Sequence, residues 1–305
     1  MEIRPAREDE IDVALALVAS YVGGRPVEAV AVLRQAAERG ELDLSHLTVA
    51  VEDDRILGAV LAIVAPGRTA FLTAPGAVKR RLERDVAVAL YRHWRTPPPR
   101  LDLAMIQTFT QVNDKRQRRF LEAAGYEHLS DLIYLERPAD VRTGEAPLPD
   151  DVSWRTYSDD THAAFGRMIL ATYEGTLDCP RLSGLRLMDD VIAGHKAQGR
   201  FDPDRWLLVA VAGEEVGCLL LNAIPERDSL DITYMGLAPG ARQRGLGRVL
   251  VQAAIDETRR AGRPRLTCAV DVNNLPAVRT YRHYDFRSTD AKRVFIAAPD
   301  RPAND

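Results

Sequence analysis

Apolar and polar positions along this chain follow two periods, and the order in which strand-like and helix-like stretches occur is repeated. In the second half, Trp206–Ala212 and Val216–Ala223 are strand-length apolar runs joined by Gly213-Glu214-Glu215, a hairpin-sized turn. Leu230–Leu237 is a third strand, leading through Pro239-Gly240 into an amphipathic helix from Gly245 to Ala261. Leu266–Val272 then reads as a strand, Ala277–His283 as a helix and Ala291–Ala297 as a last strand. A short strand, Val152–Tyr157, and helical segments Asp160–Glu174 and Leu187–Gln198 stand ahead of them. The first half has the same order: strand Met1–Arg4, helices Asp9–Val22 and Pro26–Arg39, and a hairpin of Leu47–Val51 with Ile56–Val64. Strand Thr69–Thr73, helix Val78–Trp94, strand Leu101–Phe109, helix Lys115–Ala124 and strand Leu132–Glu136 complete it.

Single residues support a duplication. Gly58 and Gly217 lie 159 positions apart, Tyr126 and Phe286 lie 160 apart, and the tetrapeptide Ala-Pro-Gly-Ala recurs at an offset of 164, at Ala74–Ala77 and Ala238–Ala241. The segment Arg137–Asp151, rich in proline and charge and without apolar periodicity, separates the halves. The expected organisation is a domain over 1–138, a linker over 139–151 and a domain over 152–305.

Composition narrows the function class. With 46% hydrophobic and 28% charged residues over 305 positions, each half can bury a core. Lys+Arg at 41 against Asp+Glu at 44 leaves a net charge of −3, with no basic footprint for nucleic acid or an anionic membrane. Apolar runs such as Leu57–Val64 are far short of the ~20 residues a bilayer needs. The start, Met1-Glu2-Ile3-Arg4-Pro5, lacks a signal-peptide core. Three scattered cysteines (Cys179, Cys218, Cys268) fit a reducing, cytoplasmic setting, and six singly placed histidines give no metal-ligand spacing.

Chemistry concentrates between Tyr234 and Arg248. A strand ends at Leu237, and Arg242-x-x-Gly245-x-Gly247 opens the helix that follows. Glycines admit close approach of a ligand, and unpaired amides at a helix start attract anions; Arg242, Arg244 and Arg248 add charge at the same place. That combination suits a pyrophosphate. A nucleotide P-loop is excluded by the lack of Gly-Lys-Ser/Thr, and a dinucleotide fold by the lack of the acid on its second strand.

Over nearly its full length the second half resembles the GCN5-related N-acetyltransferase superfamily. Its loop pattern, Arg/Gln-x-x-Gly-x-Gly/Ala, matches Arg242, Gly245 and Gly247, and its next signature is similar to Asn274-Leu-Pro-Ala277-Val-Arg-Thr-Tyr281 followed by Asp285-Phe286. Asp285 stands where the family has Gly, at a corner whose left-handed geometry Asp tolerates. The tandem layout and Ala277–Tyr281 look like a two-repeat branch, the mycothiol synthases. The resemblance implies an α/β (α+β) fold of two tandem domains, each a mixed, mostly antiparallel sheet flanked by helices. It implies acetyl-CoA as co-substrate, with no metal. Met235, Gly236 and Leu237 would bind the pantetheine arm, and Gln243, Arg244, Gly245, Leu246, Gly247 and Arg248 the pyrophosphate. The thioester would lie between splayed strands Leu230–Leu237 and Leu266–Val272. Asn274 and Ala277 would flank the arm, with Asn274 also a candidate helix N-cap. Tyr281 would protonate the departing thiolate.

The resemblance also implies a candidate base, Asp231, eleven residues before Arg242, where the histone-acetylating branch of the family has a glutamate. At period two, Asp231, Thr233, Met235 and Leu237 share one face and Ile232, Tyr234 and Gly236 the other. The competing reading makes Asp231 an exposed strand-start carboxylate, with Tyr234 and Glu174 as fallback bases. Glu174 and Asp178 fall where the family walls the acceptor site, suggesting a cationic small-molecule amine. In the first half the coenzyme loop is absent in either register. Arg242, Gly245 and Gly247 align with Val78, Arg81 and Glu83 at offset 164, or with Leu82, Asp85 and Ala87 at offset 160, and Tyr281 aligns with Leu121. The expected protein is an N-acetyltransferase with one working domain and one degenerate one. The alternatives are a tandem module that binds or senses acetyl-CoA without catalysis, and protein N-acetylation.

Overall fold

A computed structural model describes residues 1–22, 26–80, 82–98, 100–141 and 151–300. Its strands are β1 (Glu2–Pro5), β2 (Leu47–Glu52), β3 (Arg55–Ala65), β4 (Thr69–Leu72), β5 (Gly76–Ala77), β6 (Met105–Gln111), β7 (Glu127–Pro138), β8 (Val152–Thr156), β9 (Trp206–Val211), β10 (Glu214–Ile224), β11 (Ser229–Leu237), β12 (Arg265–Asp271) and β13 (Arg287–Ala297). The α-helices are α1 (Ile11–Val22), α2 (Pro26–Glu38), α3 (Glu83–Arg95), α4 (Lys115–Ala123), α5 (Asp159–Tyr173), α6 (Met188–Lys196), α7 (Leu246–Arg260) and α8 (Leu275–His283). The chain forms two units. One comprises residues 1–129 and 293–305, the other 130–292. The sequence reading instead ends the first domain at 138 and begins the second at 152. Most of its linker, 142–150, lies outside the described residues.

The division follows from strand pairing. Residues 132–138 of β7 run antiparallel along the whole of β12, so they belong to the second unit. Phe295 and Ala297, from the end of β13, are buried in the core of the first unit beside Leu90, Tyr91, Ile106 and Leu121. Each unit is thereby completed by a strand end from the other half of the sequence.

Within each unit the sheet is mostly antiparallel with one parallel pair, β4 with β6 in the first and β11 with β12 in the second. Amphipathic helices cover it. α7 buries Leu246, Val249, Leu250, Val251, Ala254, Ile255 and Thr258, the i, i+3/i+4 stripe that its sequence spells. α5 starts at a capping box of Ser158 and Thr161. The 160-residue offset recurs in the structure: β6 and β12, and likewise α4 and α8, lie 160 residues apart along their full lengths. Val78 N donates to Leu57 O and Ala238 N to Val216 O, both at 2.9 Å, which fixes that register at the end of β5 and β11. The repeated Ala-Pro-Gly-Ala is therefore not a structural equivalence. Ala74–Ala77 runs into β5, whereas Ala238–Ala241 follows β11. The same pairing delays α3 to Glu83 instead of Val78.

Candidate active site

Strands β11 and β12 are hydrogen-bonded neighbours from Ser229/Arg265 to Ile232/Cys268 and no further. Residues 233–237 keep β10 on one side and have no strand on the other among the described residues. This is the open seam that the sequence reading places between the two strands. At its mouth, opposite Leu220 and Leu221, β11 has a bulge: Leu220 pairs with Tyr234 and Leu221 with Ile232, leaving Thr233 as the extra residue, its hydroxyl buried without a partner.

The bulge corrects the assignment of faces. Leu230 and Ile232 before it, and Met235 and Leu237 after it, all pack into the core under α7. Tyr234 packs on the other side, with α5 and α6, and Gly236 faces α5 so closely that a Cβ there would come within 2.8 Å of the Thr172 side chain. Asp231 does not share a face with Met235 and Leu237. The inserted residue shifts the period-two phase and puts Asp231 on the face of Tyr234.

Beyond β11, Arg242 N donates to Pro239 O and Arg248 N to Gly245 O. Between these two, the amides of Gln243, Arg244, Gly245, Leu246 and Gly247 have no protein acceptor among the described residues. Gly245 is the N-cap of α7 at φ 82°, and nothing lies within 4 Å of where a Cβ would stand at Gly245 or Gly247. A row of orphan donors at a helix start, under open space, fits the pyrophosphate of a coenzyme. Arg244 and Arg248 are exposed and have no ion-pair partner among the described residues. Arg242 is different. Its guanidinium donates to Leu237 O (3.1 Å), Gly175 O (3.0 Å) and Thr172 O (2.9 Å), lashing the loop to the end of α5. It shapes the cradle and has little left to offer a phosphate.

Tyr281 is almost fully buried on the α7 side, its ring 5.2 Å from Phe286, and its hydroxyl reaches the Cys268 thiol at the closed end of the seam. Burial holds both groups well above their ordinary pKa, so Tyr281 is a protonated hydroxyl. On the opposite face, Asp231 accepts a 2.6 Å bond from Thr267 Oγ1. Burial pushes its carboxyl up to about 6, against the opposing pull of Thr267 and Arg227. Tyr234 donates to Thr172 Oγ1 at 2.6 Å, since the single Thr172 proton is given to Ile169 O. Burial holds the Tyr234 hydroxyl well above the ordinary phenol value, so it stays protonated.

Asn274 accepts from Ala277 N (3.4 Å) as the N-cap of α8, and its side chain also bonds Asp178. Asp178 Oδ1 in turn accepts from Asp271 N (2.9 Å), while Asp271 Oδ2 accepts from Cys179 N (3.1 Å). These reciprocal bonds pin the loop after α5 to the end of β12. Asp178 is thus a clamp residue, whose carboxyl desolvation and the Asp271 charge hold above its ordinary pKa. Glu174 is the exposed C-cap of α5. Asp285 adopts φ 60° at the corner, matching Gly125 (φ 84°) 160 residues earlier. In the first unit Leu82, Asp85 and Ala87 stand where Arg242, Gly245 and Gly247 stand in the second, and Arg81 lies outside the described residues. The bulge at Thr233 and the clamp through Asp271 escaped the sequence reading, because neither leaves a periodic signal.

Residues 169–286 match the model of the acetyltransferase (GNAT) family. That match lies within the second unit. The chain is 30% identical over 176 residues to a mycothiol acetyltransferase of Beutenbergia cavernae, covering 54% of this chain and 58% of that protein. A mycothiol acetyltransferase of Thermomonospora curvata is 27% identical over 168 residues, with 54% of each covered. The chain thus spans a little over half the length of these curated relatives. A GCN5-related N-acetyltransferase from Sphaerobacter thermophilus has the same fold over 100% of this chain and 97% of its own, with a TM-score of 0.62 at 18% identity. A tandem GNAT protein from the clavulanic acid biosynthesis pathway matches 99% of both chains, with a TM-score of 0.55 at 16% identity. Among the described residues no His, Cys, Asp and Glu group could hold a metal, and no helix is long and apolar enough to cross a membrane.

Proposed function

We propose that the second unit is an acyl-CoA-dependent N-acyltransferase. It moves an acetyl group from acetyl-CoA to the primary amine of a small, cytoplasmic acceptor by direct attack. The observation that carries this reading is the row of unpartnered amides from Gln243 to Gly247, set at the end of a strand that parts from its neighbour after Ile232/Cys268. Acetyl-CoA supplies the activated acyl group. The amides, with Arg244 and Arg248, hold its pyrophosphate, and the free edge of residues 233–237 pairs with the pantetheine amides. Asp231, on the α5 face, takes the proton that the ammonium must lose before attack, directly or through water. Tyr281, on the α7 face, gives a proton to the departing thiolate. Proton removal and proton delivery thus come from opposite faces of the sheet. The first unit has neither the glycines nor the hydroxyl and serves no coenzyme.

The test is mass spectrometry of the purified protein under native conditions for bound CoA, followed by an amine panel read by thiol release from acetyl-CoA. Amine-dependent thiol release with one CoA per chain is expected. CoA binding without transfer to any amine would favour a sensing module.

A further inference from the structure

The segment that leaves α5, residues 174–179, is tied at both ends, and its two ties lie on opposite sides of the open seam. At its start the Arg242 guanidinium, bonded to Leu237 O at the end of β11, also donates to Thr172 O (2.9 Å) and Gly175 O (3.0 Å). At its other end Cys179 N donates to Asp271 Oδ2 (3.1 Å), and Asp271 N donates to Asp178 Oδ1 (2.9 Å). Asp271 is the last residue of β12. Because β11 and β12 part after Ile232/Cys268, a segment fixed to Leu237 and to Asp271 crosses the gap between them. Three Cα steps separate Gly175 from Asp178, a reach of about 10 Å, close to the room that one missing strand leaves. The crossing continues α5 and so runs on the side of Tyr234 and Asp231.

The outer side of this segment is in solvent: Glu174, Gly175, Leu177 and Asp178 are exposed, so the ties and not a covering element fix its position. Cys179 adopts a left-handed φ of 45°, unfavourable for a residue with a Cβ and held by the bond its amide makes to Asp271. Asp271 is buried without an ion-pair partner among the described residues; its Oδ1 accepts from Asn273 N (2.8 Å) and its Oδ2 from Cys179 N. The first unit forms the same sheet without either tie, since Leu82 and an exposed Gln111 stand where Arg242 and Asp271 stand in the second. The ties thus accompany the row of open amides and not the fold. We propose that Asp271 and Asp178 are positioning residues that hold 174–179 as a strap across the transfer seam, and that this strap admits slender primary amines and turns bulky ones away. The selection rests on the acyltransferase reading, because an amine approaching the thioester on the Asp231 face passes beside the strap. The two carboxylates act through the strap and not as charges facing a cationic acceptor.

The test uses the full chain and two probe amines, n-butylamine and cyclohexylmethylamine, which share an unbranched reacting carbon and differ in bulk beyond it. Thiol release from acetyl-CoA should show the wild type preferring n-butylamine in kcat/KM. Asp271→Ala and Asp178→Ala should each reduce that preference about tenfold or more, chiefly by lowering KM for the bulkier amine, with acetyl-CoA affinity little changed. Asp178→Asn, whose amide oxygen still accepts from Asp271 N, should keep most of the preference, a rescue that general unfolding would not produce. Hydrogen exchange reads the ties without any amine: the peptide covering 174–179 should exchange faster in both alanine variants than in the wild type. Unchanged exchange in folded alanine variants would overturn the strap, and an unchanged amine preference with faster exchange would overturn its role in selection. Failure of the wild type to transfer to any amine would remove the acyltransferase reading and the selection with it, while the exchange measurement would still decide whether the ties hold the strap.

Discussion

Asp231 is the residue where structure and chemistry are most tightly coupled. Its folded pKa of about 6 lies above the usual carboxylate value of 3.8, so the folded state binds the proton more tightly than the unfolded chain. Stability from this group is full below about pH 4 and is lost as pH rises through about 6. Asp231→Asn should therefore raise stability at pH 7–8, by about 1–2 kcal/mol once partial solvent access is discounted, and change little near pH 4. Melting curves at the two pH values check this. The same substitution should flatten an acidic limb near pH 6 in kcat/KM, while a limb that moves with the amine's own pKa would belong to the substrate. Tyr281→Phe keeps the ring on Phe286 and removes the hydroxyl. It should lower kcat by ~10²-fold or more with acetyl-CoA affinity nearly unchanged, as single-turnover and binding measurements would show. Residue types at Asp231 and Tyr281 were legible in the sequence from spacing and resemblance. The environment that tunes them was not, because Thr267 and Cys268 reach them across the sheet.

At the scale of elements, the strand, loop and helix that build the proposed coenzyme cradle were readable from apolar periodicity and two glycines, with boundaries close to those found. The bulge at Thr233 was not, since an inserted residue leaves the composition of a strand unchanged while reversing every face beyond it. The role of the Arg242 side chain was equally hidden: sequence shows its charge near the loop, while the structure shows that charge turned onto three carbonyls. The contrast is testable. Arg242→Gln should destabilise the second unit by ~1–2 kcal/mol in denaturant and weaken acetyl-CoA through a looser cradle. Arg244→Gln should weaken acetyl-CoA without altering stability, and should reduce the salt dependence of binding. Equal stability losses in both variants would contradict the division of labour between them.

For the whole molecule, the duplication was legible in offsets of 159 and 160, but the exchange of terminal strands was not, because a strand's sequence does not name its partner. Phe295, near the chain's end, is fully buried in the core of the unit that begins at Met1. Phe295→Ala should cost that unit about 3–5 kcal/mol, seen as an earlier unfolding transition in urea. A fragment of residues 1–138 that unfolds with the wild-type transition would argue against the exchange. The central claim is that the chain has one coenzyme site, on the amides of the second unit. It is tested most directly by calorimetric titration of the full chain with acetyl-CoA, in the wild type and in Gly245→Glu. That variant repeats the carboxylate the first unit has at Asp85. The account predicts one site per chain in the wild type and no binding heat in a folded Gly245→Glu protein. Two sites per chain, or undiminished binding in the variant, would contradict it.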